Sequence, residues 1–298
     1  MPTSGSTVAL RVGAAELARV EDYLGPGFEP AEMFPAFREE MWRAERDWLV
    51  PTFYDPVANR LRTSMHSWIV RTGRHVVLID ACIGNGKCRP SIPRFHMRES
   101  PWLERLHACG VAPEQVDYVM CTHLHADHVG WNTRQVDGRW VPTFPNARYL
   151  FGRGEYRRWD SRRPDHQSRP INENVFEDSI LPIADAGLMV LVDDGHTVDD
   201  MLTVEAAPGH TPGHAQIRLR SQGSEAVFCG DVIHHPVQIP YPVLRSVFDE
   251  DSDLAAATRE RLLRQCAERD VLLLPSHFAE PHYCKIDAAG DRFMLRWV

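Results

Sequence analysis

Thr122-His123-Leu124-His125-Ala126-Asp127-His128 is the stretch from which the fold and chemistry of this 298-residue chain can be inferred. It follows the apolar run Val116-Asp117-Tyr118-Val119-Met120-Cys121, which predicts a buried β-strand. Side chains at positions i and i+2 of an extended backbone project to the same side, so His123 and His125 can bind one ion together. Asp127 and His128 follow where the chain turns, and they can face a second ion. Imidazole and carboxylate are common ligands of divalent transition metals, so the stretch predicts a metal site.

Three later segments also place a metal-competent side chain just after a short apolar run. The side chains are His210, in a Gly- and Pro-rich loop after Leu202–Ala206, Asp231, after Ala226–Cys229, and His277, after Val271–Leu274. Open α/β sheets gather their active-site groups at strand ends. We therefore expect four strand ends to converge on one site. The alternative, a structural or solvent-exposed histidine cluster, is disfavoured by these three segments.

The order of these residues resembles the metallo-β-lactamase superfold of hydrolases. That superfold has the pattern His-x-His-x-Asp-His, then a Gly-His-Thr-x-Gly-His loop, then Gly-Asp, then a late His. The matching residues here are His123, His125, Asp127, His128, His210, Asp231 and His277. The resemblance implies that His123, His125 and His210 hold a first metal ion and that Asp127, His128 and His277 hold a second. It also implies that Asp231 bridges the two ions.

The resemblance further implies an α/β fold, the four-layer αβ/βα sandwich, with the site at one edge between the sheets. We expect residues 61–298 to form this catalytic domain, and residues 1–60 to be an N-terminal extension that packs on it or forms a lid. The sequence predicts one hairpin from Ser67–Val70 and His75–Ile79, and another from Gln216–Arg220 and Ala226–Cys229. Helices are predicted from Trp102 to Cys109, with Ser100 as the capping residue, and from about Asp253 to Glu268.

The apolar residues between Glu32 and Glu45 fall near helical spacing. They are Met33, Phe34, Phe37, Met41 and Trp42. The spacing favours an amphipathic helix packed on the sandwich, and an aromatic lid over an apolar substrate or a dimer contact is the alternative. Trp131, shortly after the metal motif, is predicted to form a wall of the substrate pocket.

Composition excludes several classes of partner. A net charge of -8 gives no general attraction to polyanions, so we expect no nucleic-acid substrate. The basic cluster Arg157, Arg158, Arg162 and Arg163 is interrupted by Asp160 and predicts a solvated loop, with an anion-binding patch as the alternative. The seven cysteines contain no Cys-x-x-Cys pair and predict reduced thiols. Without a recognisable secretory signal or a run of ~20 apolar residues, we expect a cytoplasmic protein with no membrane partner.

Two adjacent divalent ions imply hydrolysis. Metal binding lowers the pKa of water from about 15.7 to about 7, so a bridging hydroxide can attack a lactone or ester carbonyl at neutral pH. Asp127 is expected to hold this hydroxide in line through a hydrogen bond. Zinc is the expected metal, and iron, manganese or cobalt are alternatives because such mixed ligands discriminate weakly among them.

Within the superfold, the motif details most resemble the dinuclear lactonase and methyl parathion hydrolase-like group. The resemblance implies a lactonase acting on a small lactone or ester, in an enzyme that is often a homodimer. Such lactonases typically carry a tyrosine three residues after the bridging aspartate, where this chain has His234. His234 could replace the tyrosine as a hydrogen-bond donor, or as a general acid if its pKa is near neutrality. Alternatively, His234 or His235 shapes the following loop.

Two other activities remain as alternatives. The first is hydrolysis of an organophosphate or another phosphoester at the same pair of ions. The second, of a different class, is oxidation by a persulfide dioxygenase with a single iron.

Two residues outside the seven candidate ligands have expected supporting roles. Asp80 is expected to accept a hydrogen bond from a ligand histidine or to cap a turn, and His214 is expected to be structural.

Overall fold

Two β-sheets face each other, and helices cover their outer faces. The computed structural model describes residues 10–290 and 292–298. The strands are β1 (Leu10–Val12), β2 (Ala15–Pro26), β3 (Tyr54–Asp55), β4 (Arg60–Arg71), β5 (Val76–Ile79), β6 (Tyr118–Met120), β7 (Thr133–Val136), β8 (Arg139–Pro142), β9 (Arg148–Gly152), β10 (Met189–Val192), β11 (Thr197–Val198), β12 (Leu202–Ala206), β13 (Ala215–Ser221), β14 (Ser224–Gly230), β15 (Leu272–Pro275), β16 (Lys285–Ala289) and β17 (Arg292–Arg296). The helices are α1 (Pro30–Met33), α2 (Glu39–Ala44), α3 (Arg46–Leu49), α4 (Trp102–Ala108), α5 (Ala126–Val129), α6 (Arg153–Trp159), α7 (Leu181–Asp185) and α8 (Ser252–Arg269).

The two large sheets have different strand orders. The first sheet has the order β1-β2-β4-β5-β6-β9-β10, with β3 also paired to β4, and the second has the order β11-β12-β13-β14-β15. Strands β5, β6, β9 and β10 run parallel, as do β14 and β15. Parallel strands buried on both faces are apolar throughout, as in the Val-Val-Leu-Ile sequence of β5. The carboxyl ends of these strands therefore lie near one edge of the sandwich.

Three clusters of buried side chains hold the layers together. Trp68 and Met120 of the first sheet pack with Phe228 of the second between the sheets. Leu106 of α4 lies in the cluster on the outer face of the first sheet, and Leu263 of α8 lies in the cluster outside the second. This order of helix, sheet, sheet and helix is the predicted αβ/βα sandwich. None of the helices in the described part of the chain has the length and apolar character of a membrane span.

Both predicted hairpins are confirmed. Trp68 pairs with Ile79 in the first, and Ile217 pairs with Phe228 in the second. The predicted helix at Trp102 is also confirmed, but its predicted cap is wrong. The hydroxyl of Ser100 donates to the carboxylate of Asp22 on β2 instead of accepting a helix N–H.

The segment before residue 60 contains more secondary structure than its sequence patterns predict. Strand β2, which those patterns do not predict, pairs antiparallel with β4 from Glu16↔Arg71 to Pro26↔Arg62. The prediction of a single amphipathic helix between Glu32 and Glu45 is wrong. The chain leaves the helical conformation between α1 and α2, where Pro35 cannot donate a helical hydrogen bond. Phe34 is fully buried in the cluster outside the second sheet, with Met41 and Trp42 packed against it. The domain boundary at residue 60 stays a prediction.

Candidate metal centre

The seven predicted ligands follow the carboxyl ends of four strands. His123 and His125 follow β6, and the first turn of α5 carries Asp127 and His128. The other three are His210, in the loop after β12, Asp231, directly after β14, and His277, two residues after β15. Backbone hydrogen bonds join these loops, since Ala215 N donates to Thr122 O at 2.8 Å and Ala81 N donates to His128 O at 2.6 Å. The sheet therefore positions residues that are far apart in sequence at one edge.

Three histidines and Asp231 form the first group. Nδ1 of His125 lies 3.0 Å from Nε2 of His123 and 2.9 Å from Nε2 of His210. Ligand atoms of these three residues and of Asp231 lie within 4.8 Å of one another, and all four residues are buried. Three imidazole nitrogens that converge at this distance cannot all be satisfied by donating protons to one another. The arrangement suits a cation between them.

Asp127, His128 and His277 form the second group. Their ligand atoms also lie within 4.8 Å of one another. Nε2 of His277 is 3.9 Å from Oδ2 of Asp127, and Nε2 of His128 is 4.0 Å from Oδ1 of the same carboxylate. Two imidazoles and a carboxylate are the donor types of a second divalent site.

Asp231 lies between the two groups. Its Oδ2 is 3.4 Å from Nε2 of His210 and 3.9 Å from Nε2 of His123. Its Oδ1 is 3.2 Å from Nε2 of His128 and 2.9 Å from Nε2 of His277. Each carboxylate oxygen therefore faces a different group, which is the arrangement that a bridging ligand requires.

Hydrogen bonds fix the orientation of three of the histidine rings. His128 Nδ1 donates to Asp80 Oδ2 at 2.9 Å, His210 Nδ1 donates to Asp249 Oδ1 at 3.1 Å, and His277 Nδ1 donates to the carbonyl of Ser64 at 3.0 Å. A proton on Nδ1 leaves a lone pair on Nε2, which is the atom that faces the site in each case. The first of the two roles expected for Asp80 is confirmed by this contact.

Unpartnered atoms at the centre provide a test of whether metal ions fit. Nε2 of His128 and Oδ1 of Asp231 are both buried and have no hydrogen-bond partner among the described residues. Burying such atoms unpaired is unfavourable. A cation at this position would satisfy both atoms. The residues present therefore fit a divalent metal.

Burial and neighbouring charges shift the pKa values of the site in different directions. Burial lowers the pKa of His123 and of His125 well below the usual range, and the neighbouring histidines lower both further. Burial also opposes protonation of His128, but the carboxylates of Asp231 and Asp80 outweigh it and raise that pKa. His123 and His125 therefore remain neutral, the form in which imidazole binds metals.

Glu155 of α6 connects the two histidine loops, and sequence reasoning did not identify it. It is fully buried and accepts hydrogen bonds from Leu124 N at 3.1 Å, Trp159 Nε1 at 2.9 Å and Gly213 N at 3.1 Å, as well as from the hydroxyl of Thr211. Burial raises its pKa, although these hydrogen bonds oppose the increase. Glu155 thereby fixes the loop of His123 relative to the loop of His210.

The predicted structural role of His214 agrees with its contacts. His214 Nε2 accepts a hydrogen bond from the backbone N–H of Asp231 at 3.1 Å. Gly230, directly before Asp231, has a φ of +50°, and a Cβ there would lie 2.8 Å from this nitrogen and 2.7 Å from Oγ1 of Thr122. A glycine at this position therefore allows the Asp231 turn to approach the end of β6.

The cleft above the two groups has a volume of about 510 Å³, part of it open to solvent. Besides site residues, it is lined by Phe28, Met33, Leu61, Met65, Arg94, Ile171 and Phe248, among others. The prediction that Trp131 forms a pocket wall is wrong, because Trp131 is buried and stacks on Trp102 at 5.2 Å between ring centroids. The lining residues come from distant parts of the chain, which no local motif indicates.

His234 and His235 have different surroundings. His234 lines the cleft, its Nε2 is 3.5 Å from Oδ2 of Asp231, and neither ring nitrogen has a hydrogen-bond partner among the described residues. Burial lowers its pKa to about 3, so the pKa near neutrality that a general acid requires is not found. His235 is bonded locally, with Nε2 2.9 Å from the carbonyl of Phe53 and Nδ1 accepting from Val237 N. Of the two, His235 shapes the loop.

Three of the four arginines of the basic cluster contact carboxylates. Arg158 pairs with Glu250 at 2.9 Å, Arg162 with Asp160 at 2.7 Å, and Arg163 with Asp165 at 2.9 Å. The pairs of Arg162 and Arg163 agree with the predicted solvated loop, whereas the pair of Arg158 is largely buried. All seven cysteines are free, as predicted.

The sequence profile of the metallo-beta-lactamase superfamily matches residues 63–277, and the chain therefore belongs to this superfamily. Among curated relatives, the N-acyl homoserine lactonase AttM of Azorhizobium caulinodans is 30% identical over 134 residues, which are 40% of this chain and 41% of that protein. The chain covers less than two thirds of the length of this relative and of other curated relatives that it matches.

Solved structures share the fold over almost the whole chain. The hydrolase AbOPH of the beta lactamase superfamily has a TM-score of 0.81 at 23% identity, and the alignment covers 97% of this chain and 96% of that one. AidC, a dizinc quorum-quenching lactonase, has a TM-score of 0.76 at 20% identity, with the same coverage of both chains. At these identities, the likeness establishes the metallo-beta-lactamase fold alone.

Proposed function

We propose that this protein is a dinuclear metal-dependent hydrolase that opens the ring of a lactone or cleaves a related ester of a small substrate. The observation that carries the proposal is the position of Asp231, whose two oxygens face two separate groups of nitrogen and oxygen donors. A curated relative named N-acyl homoserine lactonase and the dizinc lactonase AidC support the choice of lactones. Cytoplasmic location and a homodimer stay predictions.

We assign a first ion to His123, His125 and His210, a second to Asp127, His128 and His277, and contacts with both to Asp231. Zinc is the first choice, with iron, manganese or cobalt as alternatives. When bound, such a pair of ions acidifies water and polarises a carbonyl oxygen. The protein's contribution is to fix the donors, since the rings of His128 and His210 are held by Asp80 and Asp249.

Asp127 is proposed to orient the attacking water. Its side chain lines the cleft and is about one tenth exposed, so it can contact both the second group and the substrate space. A carboxylate oxygen not needed for metal binding can accept a hydrogen bond from water and direct a lone pair toward the carbonyl carbon. Holding the two reacting groups in line in this way lowers the entropic cost of reaching the transition state.

His234 is proposed to donate a hydrogen bond to the substrate carbonyl, in the place of the lactonase tyrosine. Its ring lines the cleft and its nitrogens have no partner among the described residues, so one N–H is available. His234→Phe should lower kcat while two metal ions per chain remain bound, as measured by elemental analysis. Unchanged turnover would remove His234 from the reaction.

A mononuclear iron oxygenase is the alternative of a different class. A single iron ion held by two histidines and an aspartate would need the donors of one group only. This chain has two groups of donors, and a mononuclear enzyme would leave one of them without an ion. This observation favours the dinuclear hydrolase. Oxygen consumption in the presence of a persulfide would reverse the preference.

The direct test is proton release by the zinc-loaded protein over a panel of acyl-homoserine lactones and simple aliphatic lactones. His123→Ala, which removes a donor from the first group, is the control. We expect ring opening by the wild type and its loss in the control. No release from any lactone would contradict the proposed lactonase activity and would direct the search to organophosphates and other esters.

A further inference from the structure

Arg94 is a cationic side chain without a partner in the wall of the cleft. It lies in the loop between β5 and α4, and it lines the same cleft as Asp127, Asp231 and His234. Its Nε and Nη1 are buried, and neither has a hydrogen-bond partner among the described residues. The guanidinium lies over the ring of Phe28, 4.0 Å from its centroid. Two donor nitrogens are therefore held at the cleft with no acceptor among the described residues.

Other buried arginines of this chain have their donors satisfied to a greater extent. Arg89, five residues earlier in the same loop, forms two hydrogen bonds to the carboxylate of Asp178, at 2.6 and 2.7 Å. Arg259 donates to the backbone carbonyls of Val232, Pro242 and Leu244. Arg94 thus differs from both, although it lies on the same loop as Arg89.

Keeping an unpaired charge in this position is costly. Burial lowers the pKa of Arg94, and the nearby carboxylate of Asp127 only partly opposes the effect. Buried charges in proteins are normally paired with an opposite charge or with several hydrogen-bond acceptors. The missing acceptor is therefore expected to come from a molecule that enters the cleft.

The remainder of the cleft wall restricts what this molecule can be. Phe28 and Phe248 lie with their ring centroids 5.1 Å apart, and Met33, Leu61 and Met65 add further apolar surface. An apolar wall with one cation suits a substrate with a small hydrocarbon body and one anionic group. A planar carboxylate matches the paired N–H groups of a guanidinium in geometry as well as in charge.

We propose that Arg94 binds a carboxylate on the substrate, so that the preferred substrate is a lactone or ester carrying a free carboxylate on the carbon that bears the scissile ester oxygen. This inference rests on the proposed hydrolase function and specifies its substrate class. Arg94 is a specificity-determining residue, and it takes no part in bond cleavage.

The test compares two lactones that differ in charge but hardly in shape. They are γ-carboxy-γ-butyrolactone and the corresponding primary carboxamide. The ratio of kcat/KM for the carboxylate to kcat/KM for the amide is measured for the zinc-loaded wild type, for Arg94→Gln and for Arg98→Gln. Arg98 is a matched control because it lies on the same loop, contacts Tyr23 and the backbone of Asp22, and does not line the cleft.

We expect the wild type and Arg98→Gln to prefer the carboxylate by about 10- to 100-fold, the range for hydrogen bonds to charged groups. The preference should fall to near one in Arg94→Gln. A wild-type ratio near one, or a ratio that Arg94→Gln leaves unchanged, would overturn the proposal.

A binding measurement separates failure of this inference from failure of the proposed function. Calorimetry on the same proteins compares the ring-opened dicarboxylate, 2-hydroxyglutarate, with its monoamide, which retains the carboxylate formed by ring opening. Tighter binding of the dicarboxylate that depends on Arg94 would support the inference even if no lactone is hydrolysed. Equal binding of the two compounds by the wild type would overturn it, whatever the outcome for hydrolysis.

Discussion

Nδ1 of His128 donates a 2.9 Å hydrogen bond to Oδ2 of Asp80, and this contact fixes the ring with Nε2 toward Asp231. Asp80 also accepts from the backbone N–H of Thr122 at 2.8 Å, so the carboxylate itself is held in place. Orientation of a candidate ligand thus depends on a residue 48 positions earlier in the chain.

Asp80→Asn should weaken binding of the second metal ion. An amide in place of the carboxylate is a poorer acceptor for the imidazole N–H, and loss of such a partner typically costs 10- to 100-fold in metal affinity. Competition with a chromophoric chelator measures the change. Asp199→Asn is the control, because Asp199 also pairs with a histidine, His75 at 2.8 Å, but outside the site. An equal loss of affinity in both variants would contradict this role of Asp80.

Gly230→Ala should destabilise the protein and disturb the Asp231 turn. The positive φ costs an alanine about 1–2 kcal/mol, and the clash of its Cβ with Thr122 and His214 should add about 1–3 kcal/mol. Gly223→Ala is the matched control, since Gly223 has a φ of +79° but no atom within 4 Å of the position that a Cβ would take there. Urea unfolding should show the smaller loss for Gly223→Ala, and equal losses would rule out the close approach at Gly230.

Lys87 should make the free energy of unfolding increase with pH. Burial lowers its pKa to about 7 from 10.5, despite the carboxylate of Asp178 at 3.6 Å. Between these two pH values the unfolded chain binds the lysine proton and the folded chain does not, so stability rises across this window. Lys87→Met should flatten the increase in urea unfolding at pH 7, 8 and 9. The surface variant Lys285→Met should retain it, and an unchanged slope in Lys87→Met would refute the assignment.

Arg89 and Arg94, both in the loop before α4, should differ in their effect on stability. Arg89→Gln leaves the buried carboxylate of Asp178 without its bidentate partner, which typically costs about 3–5 kcal/mol. Arg94→Gln removes an unpaired charge, which is favourable, together with the contacts of the guanidinium with the rings of Phe28 and Phe95, for a net change of about 1 kcal/mol or less. Thermal unfolding of both variants measures the difference. A large loss for Arg94→Gln would indicate a structural role in place of substrate binding.

The residues at the four strand ends could be predicted from local patterns in the sequence, and the sandwich was implied by the family resemblance that these residues carry. Short apolar runs marked strands such as β5 and β15, and the candidate ligands lie in the segments that follow such runs. Strand β2 was missed because its buried positions do not form a regular apolar alternation: Leu17 and Ala18 are both buried, and the buried position 22 is an aspartate.

Residues that act through long-range contacts could not be predicted. Glu155 resembles an ordinary charge in an arginine-rich helix, and its buried hydrogen bonds to Leu124 and Gly213 exist only after the loops have folded together. Arg94 is unusual because its buried nitrogens have no hydrogen-bond acceptor among the described residues, which only the folded structure shows. Its contact with the ring of Phe28 also exists only in the folded chain. Trp131 was misassigned because nearness in sequence to the motif does not determine the direction in which a side chain packs.

The measurement that tests the account most directly is a zinc titration of metal-depleted protein with lactone ring opening and bound metal recorded together. If both groups around Asp231 must be filled, ring opening should rise mainly between one and two equivalents of bound zinc and then remain constant. Full activity at one equivalent, or none with two equivalents bound, would contradict a dinuclear hydrolase.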